Sequence, residues 1–178
     1  VRAAVGGGPA LISAPLAACH EFINEAEKFF PGTSIRVVAT SDVDRWLAAP
    51  SGIALVTHHA FVKPRDLTSI DCIVLDESSI LKSGSGAIAA NLKAAAQSVA
   101  HRLALSATPA PNDPTEYAAH AVFLGYMRTD AEFNARFFVR DGKFWRLKGH
   151  AKDDIVAYLA AFALWMRTPE SYGMPCAA

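Results

Sequence analysis

The sequence predicts an α/β fold with a mainly parallel sheet that is covered by helices on both faces. Five short apolar runs are continuous rather than alternating, which is typical of strands buried on both sides. Segments with helical periodicity separate these runs, and strands that alternate with helices form parallel sheets. Right-handed crossovers then place the helices on both faces of the sheet.

The predicted strands cover residues 10–14, 35–39, 53–57, 72–76 and 102–106. One further helix is predicted to begin at Asp113, which would cap it, with Pro114 at its first position. Three other predicted helices each carry apolar residues on one face. The first has Phe22, Ala26 and Phe29 on that face, and the second has Ile88, Leu92, Ala95 and Val99. The last has Ile155, Leu159, Phe162 and Met166.

Length and composition favour one compact domain. The chain has 178 residues, of which 52% are hydrophobic, which is enough for a real core. No apolar run approaches the ~20 residues that span a bilayer, so we expect no membrane partner. Three cysteines without metal-ligand spacing suit a reducing cytoplasm, where we predict the protein to reside. The net charge is zero, so composition gives no support for a dedicated nucleic-acid binder.

Two carboxylates follow the fourth predicted strand. Asp76 and Glu77 come directly after an apolar run, at the strand end where ligands bind in open α/β sheets. Mg²⁺ keeps several waters and needs few protein carboxylates. A neighbouring carboxylate can orient or deprotonate a water. Taken alone, the pair favours solvated acids at an ordinary strand end.

Hydroxyl side chains follow the fifth predicted strand. Ser106 lies 106 − 77 = 29 residues after Glu77, which leaves room for one helix and one return strand. Taken alone, this segment is compatible with a simple turn, because Pro109 biases Thr108 towards extended geometry. Both segments in this order and at this spacing are far less expected by chance.

Together the two segments resemble motifs II and III of superfamily 2 helicases and translocases, of the DEAD/DEAH type. The greatest similarity is to the first RecA-like domain of the Swi/Snf-like branch. Asp76-Glu77-Ser78-Ser79 matches the Asp-Glu-x-x box, and residues 106–112 are similar to the longer motif III of that branch. Residues 11–16 resemble motif Ia, and residues 56–59 stand in the place of the next motif that contacts the nucleic-acid backbone.

The resemblance implies a RecA-like three-layer sandwich of the P-loop NTPase type, truncated at its N-terminus, with ATP and Mg²⁺ as cofactors of the intact protein. It implies that Asp76 holds the metal and that Glu77 is catalytic. Asp76, Glu77, Ser106 and Thr108 would form the cofactor site. The implied partner is nucleic acid, in the first place double-stranded DNA, and the residues nearest its backbone would be Pro15, Leu16, Thr57 and His58.

The sequence departs from the family pattern in three respects. No Gly-x-x-x-x-Gly-Lys-Ser/Thr loop precedes motif Ia, and we interpret the glycines at 6–8 as a turn because no Lys or Ser/Thr follows them. Ser78 and Ser79 replace the commoner Ala-Asp or Ala-His. No second RecA-like domain follows. The chain alone is therefore expected neither to hold ATP nor to hydrolyse it.

The sequence predicts three parts. Residues 1–125 would form the partial RecA-like ATP-binding domain, 126–168 a basic and aromatic extension and C-terminal helix of the same domain, and 169–178 a linker or truncated tail. The stretch 128–148 has two interpretations: nucleic-acid binding through phosphates and stacking, or a solvated surface. The pair His58 and His59 is interpreted as structural or backbone-contacting rather than metal-binding, because adjacent strand residues point apart.

The predicted function is a fragment of an ATP-dependent DNA helicase or translocase, with nucleic-acid-stimulated ATP hydrolysis in the intact protein. One alternative is a non-catalytic nucleic-acid-binding or scaffold fragment that keeps the RecA-like fold but has lost ATP binding. Another is a different nucleotide-dependent α/β enzyme.

Overall fold

The computed structural model describes residues 7–82, 86–110, 112–142 and 144–164. The chain forms two compact units, Val1–Phe133 and Asn134–Ala178. No helix among the described residues is long and apolar enough to cross a membrane. The domain boundaries given above stay a prediction, and the tail at 169–178 and Met166 lie outside the described residues.

The first unit is built on a five-stranded sheet in the order β2-β3-β1-β4-β5. All four strand pairings are parallel, which confirms the predicted sheet. The strands are β1 (Ala10–Ala14), β2 (Ile35–Val37), β3 (Ile53–Thr57), β4 (Cys72–Leu75) and β5 (His101–Ala104). Each predicted strand is therefore present, with ends that differ by two residues or fewer.

Helices cover both faces of this sheet. They are α1 (Leu16–Phe29), α2 (Val43–Ala48), α3 (Ala87–Ala96) and α4 (Tyr117–Leu124). Helix α5 (Asp130–Phe137) spans the boundary between the two units. One face packs Leu55 and Ala14 with Cys19 and Phe22 of α1. The opposite face forms the larger core, in which Leu11, Val56, Ile73 and Leu75 pack with Leu92 of α3 and Phe123 of α4. Alternate side chains of the buried strands thus point to opposite faces of the sheet and pack there against helices. The helices on the two faces and the sheet between them form a three-layer sandwich.

The helix predicted at Asp113 has the expected cap. The Asp113 carboxylate accepts a hydrogen bond from the Thr115 amide at 2.8 Å, and Pro114 occupies the first helical position. One 3-10 turn, Pro114–Glu116, comes first, and α4 follows it. The left-handed backbone of Gly125 (φ 83°) ends α4, as glycine commonly does.

The predicted burial of the run at 102–106 and of Phe29, and the predicted place of Val99 in a helix, need correction. The run at 102–106 is not a buried strand, because β5 lies at the sheet edge, where Leu103 and Leu105 remain 39% and 40% exposed. Helix α4 packs on the other face of this strand, with Ala104, so only that face is covered. Phe29 is exposed at the end of α1, and Val99 is buried but lies beyond the end of α3.

The second unit contains a β-hairpin and a helix. Strands β6 (Phe138–Asp141) and β7 (Phe144–Leu147) pair antiparallel, and α6 (Ala151–Ala160) follows. Ile155 and Leu159 are buried, as predicted for the last helix. Phe162 lies just beyond α6, where its ring packs edge-on against Tyr158.

Candidate functional site

Loops that leave the strands at the carboxyl edge of the sheet carry the predicted site residues. In the register of the sheet, Ala14 lies beside Thr57, Ser13 beside Leu75, and Leu75 beside Ala104. The strands therefore end almost level. This edge brings together the predicted nucleic-acid residues after β1 and β3, the carboxylates after β4 and the hydroxyls after β5. The roles of these residues stay predictions.

The two carboxylates lie on a tight turn after β4. The Asp76 amide donates to the Ser13 carbonyl oxygen at 2.9 Å, which continues the ladder between β1 and β4. Glu77 has a φ of 45° and is the only non-glycine residue with positive φ in the described part of the chain. Such backbone costs about 1–2 kcal/mol and persists where neighbouring contacts fix it. One of these contacts is the Ser78 amide, which donates to the Leu105 carbonyl oxygen at 2.7 Å. The exposed Glu77 carboxylate is thereby presented to solvent beside the half-buried Asp76.

A buried hydrogen bond anchors this turn to α4, and the sequence analysis missed it. The Ser78 hydroxyl oxygen lies 3.1 Å from His120 Nε2, and the residues are only 1% and 6% exposed. His120 Nδ1 lies 3.3 Å from the Glu116 carbonyl oxygen, which can only accept. Nδ1 therefore carries the proton, and Nε2 accepts from Ser78. Burial lowers the pKa of His120, which keeps the imidazole neutral. The available sequence signal was one histidine inside the otherwise apolar run of α4.

The loop after β5 is fixed to the same turn. The Thr108 amide donates to the Ser106 hydroxyl at 3.1 Å. Lys82, at the end of the 3-10 turn Ser78–Lys82, reaches the Thr108 hydroxyl at 3.5 Å. Together with the bond between Ser78 and Leu105, these contacts join the hydroxyl loop to the carboxylate turn. The contacts run through the backbone and Lys82, rather than directly from the hydroxyls to the carboxylates.

The predicted backbone-contacting residues lie on the other two loops. Pro15 stands at the start of α1, and the Leu16 side chain is largely exposed. Thr57 ends β3 and is half-buried. His58 Nδ1 lies 2.9 Å from the Ser13 hydroxyl, which supports a structural role.

The charge of Asp76 reaches His58. Burial lowers the pKa of His58, while the Asp76 carboxylate opposes that shift. The Nε2 atom of His58 is buried without a hydrogen-bond partner among the described residues. His58, at the start of the loop after β3, is thus hydrogen-bonded to β1 and lies within the electrostatic influence of Asp76. Among these residues, no cluster of three or more His, Cys, Asp or Glu side chains is arranged to hold a metal.

The donor set at Asp76 and Glu77 fits Mg²⁺, which binds through one or two carboxylates and completes its shell with waters and phosphate oxygens. The glycines before β1 do not fit a phosphate-binding loop for this site. They precede a strand of five residues, so they lie about 17 Å from the carboxyl edge at ~3.3 Å per residue. Gly7 is in a left-handed turn (φ 82°), and a Cβ on Gly8 would collide with the Asp71 carboxylate. The described glycines, Gly7 and Gly8, thus form the predicted turn, and Gly6 lies outside the described residues.

Comparison with known proteins supports the fold. No protein-family model matches the chain, and no curated protein matches it. Among solved structures, the chain is similar to the Sulfolobus solfataricus SWI2/SNF2 ATPase core in complex with dsDNA, with a TM-score of 0.71 and 24% sequence identity. The match covers 93% of this chain and 35% of that one. This likeness confirms the predicted RecA-like α/β fold.

Proposed function

We propose that this chain is part of the ATPase core of a DNA helicase or translocase, similar to the Swi/Snf-like branch. One observation carries the proposal: two adjacent carboxylates occupy a constrained turn at the carboxyl edge of a parallel sheet, at the end of an inner strand. That edge is where open α/β sheets bind ligands. The fold shared with a SWI2/SNF2 ATPase core supports the same proposal.

In this proposal each residue of the turn has a separate task. ATP, when bound, supplies the phosphoryl group that is transferred to water. The Asp76 carboxylate holds Mg²⁺, which suits its half-buried position. The exposed Glu77 carboxylate orients the attacking water and accepts its proton. Because the left-handed turn and the Ser78 bonds fix Glu77, its carboxylate needs little reorganisation before the reaction.

The hydroxyl loop would couple this chemistry to DNA. Ser106 and Thr108 follow β5, and Ser78 is bonded to the end of the same strand. A small shift of the acidic turn would therefore move the hydroxyl loop. The loops with Pro15, Leu16, Thr57 and His58 would contact the backbone of double-stranded DNA. The DNA-bound state of the similar SWI2/SNF2 core supports this choice of partner.

The proposal is tested by ATP turnover of the full-length protein, measured with and without double-stranded DNA. We expect DNA to stimulate turnover and Asp76→Asn to abolish it, because an amide is a far poorer ligand for Mg²⁺ than a carboxylate. Glu25→Gln is the matched control, since Glu25 is an exposed acid on α1, away from the turn. The 178-residue chain alone should show no turnover.

Two results would count against the proposal. Full stimulated turnover in Asp76→Asn would remove the metal role. A full-length protein that binds DNA but never hydrolyses ATP would favour the non-catalytic alternative, in which the fold serves only as a binding scaffold.

A further inference from the structure

The zero net charge conceals a division between the two units. Residues 134–178 carry seven Lys or Arg and four Asp or Glu, a net charge of +3. Residues 1–133 carry ten Lys or Arg and thirteen Asp or Glu, a net charge of −3. The second unit is thus a small basic module, and a basic module attracts polyanions such as nucleic acid.

The hairpin of this unit has one exposed face with an aromatic ring on it. In its register Val139 lies opposite Arg146, and Asp141 opposite Phe144. These four side chains share one face, because alternate residues of a strand point to the same side. Phe144 is 78% exposed on that face. Phe138, on the other face, is buried and holds the hairpin to its unit.

Two cations of the unit make contacts inside it. The Lys148 ammonium donates to the carbonyl oxygens of Ala135 and Arg136 at 2.8 and 2.9 Å. The Arg136 guanidinium stacks over the rings of Phe137 and Tyr158, at 5.1 and 5.0 Å. These contacts stabilise the unit.

Two further cations, Arg146 and Arg140, are exposed on opposite faces of the hairpin, and Arg146 shares the face of Phe144. Arg146 pairs with Asp141, and both side chains are more than half exposed. An exposed pair of this kind is weak, so a phosphate can displace the carboxylate. Arg140 is also exposed, and its Nε donates to the Gly142 carbonyl oxygen at 3.3 Å. Trp145, opposite Arg140, is 40% exposed.

We propose that the exposed face of this hairpin that carries Phe144 and Arg146 binds single-stranded nucleic acid. Phe144 stacks on an unpaired base, and the Arg146 guanidinium on the same face binds a flanking phosphate. A single strand is favoured over a duplex because only unstacked bases offer their faces to an aromatic ring. The proposal concerns binding by the second unit and does not depend on ATP hydrolysis at the carboxylate turn.

The test uses the 178-residue chain and the fluorescence anisotropy of a labelled 20-nucleotide single-stranded oligonucleotide. Phe144→Ala should weaken binding about tenfold, within the range of a lost base stack. Arg146→Gln should lower the slope of log K against log salt by about 0.7, the value for one phosphate contact on a single strand.

The chain provides matched controls in its first unit. Phe29→Ala removes another exposed ring that lies beside a cation, Lys28. Arg45→Gln removes another exposed arginine that pairs with an aspartate, Asp42. Neither control should change binding. All these positions are solvent-facing, and circular dichroism checks that the variants fold.

Three outcomes would overturn the proposal: no binding of the single strand by the wild-type chain, equal effects of Phe144→Ala and Phe29→Ala, or a duplex bound at least as tightly with no loss in Phe144→Ala. The last outcome would indicate contact with phosphates alone. None of these outcomes bears on Asp76 or Glu77, so they are distinguishable from a failure of the proposed ATPase function.

Discussion

The buried bond between Ser78 and His120 should be energetically coupled, and a double-mutant cycle measures that coupling. Ser78→Ala leaves the His120 Nε2 acceptor without its donor, and His120→Leu leaves the Ser78 hydroxyl without its acceptor. Both atoms lie in residues that are almost fully buried. An unsatisfied buried polar group costs about 1–3 kcal/mol, whereas replacing both partners with apolar groups is nearly neutral. The double variant should therefore be more stable than the sum of the two single changes predicts.

The expected coupling is about 1.5 kcal/mol, which lies within that range. With a urea slope of about 2 kcal/mol/M, this corresponds to about 0.75 M in the unfolding midpoint. The assay is urea unfolding at pH 7.5, where the neutral imidazole predominates. Ser79→Ala serves as the control, because the Ser79 hydroxyl donates to the nearby Glu77 carbonyl oxygen over a long 3.4 Å and takes no part in the bond between Ser78 and His120. The reasoning would be refuted if the loss of stability in the double variant equalled the sum of the two single losses within about 0.3 kcal/mol, because uncoupled sites behave in that way.

Acid should destabilise the fold, because burial lowers the pKa of His58 and His120 below the ordinary value of 6.5. Below pH 6.5 the unfolded chain then binds protons that the folded chain does not. The free energy of unfolding should therefore be highest above pH 7 and fall below pH 6.5, by at most ~1.4 kcal/mol per pH unit for each histidine. Urea unfolding at pH 7.5 and 5.5 measures this difference, and equal free energies of unfolding would contradict it. In the full-length protein, replacing both Ser106 and Thr108 with Ala should spare nucleotide affinity and lower DNA-stimulated turnover, and undiminished turnover would exclude the coupling role. The Glu77→Gly variant should be more stable than Glu77→Ala by about 1 kcal/mol in free energy of unfolding, because only glycine adopts a φ of 45° without strain. Equal urea midpoints of the two variants would show that the turn stores no strain.

Much of the fold follows from local patterns. The continuous apolar runs predicted β1, β3 and β4 closely, because buried parallel strands leave no polar alternation in the sequence. The exposure of β5 was not predictable in the same way. β5 opens with the polar residues His101 and Arg102, and the apolar run at 103–105 alone gives no sign of an edge position, which the order of the strands sets.

The candidate site was predicted in part. The positions of Asp76 and Ser106 after two strands followed from parallel pairing, which brings strand ends to one edge. The positive φ of Glu77 and the bond between Ser78 and His120 depend on tertiary contacts across 42 residues, and no local pattern encodes them. The hairpin did have a local signal: glycine is favoured at the first position of a two-residue hairpin loop, and Gly142, which follows Asp141 at the end of β6, has a left-handed backbone (φ 60°).

The role of Glu77 as the catalytic base is the central claim, and separating ATP binding from hydrolysis in the full-length protein tests it most directly. Glu77→Gln keeps the size of the side chain and removes its basicity. We expect ATP to bind within about twofold of wild type, while DNA-stimulated turnover falls by about a hundredfold or more, the contribution of a positioned general base. Glu25→Gln should leave both quantities unchanged. Stimulated turnover that persists in Glu77→Gln, or a loss that is explained entirely by lost ATP binding, would contradict the claim.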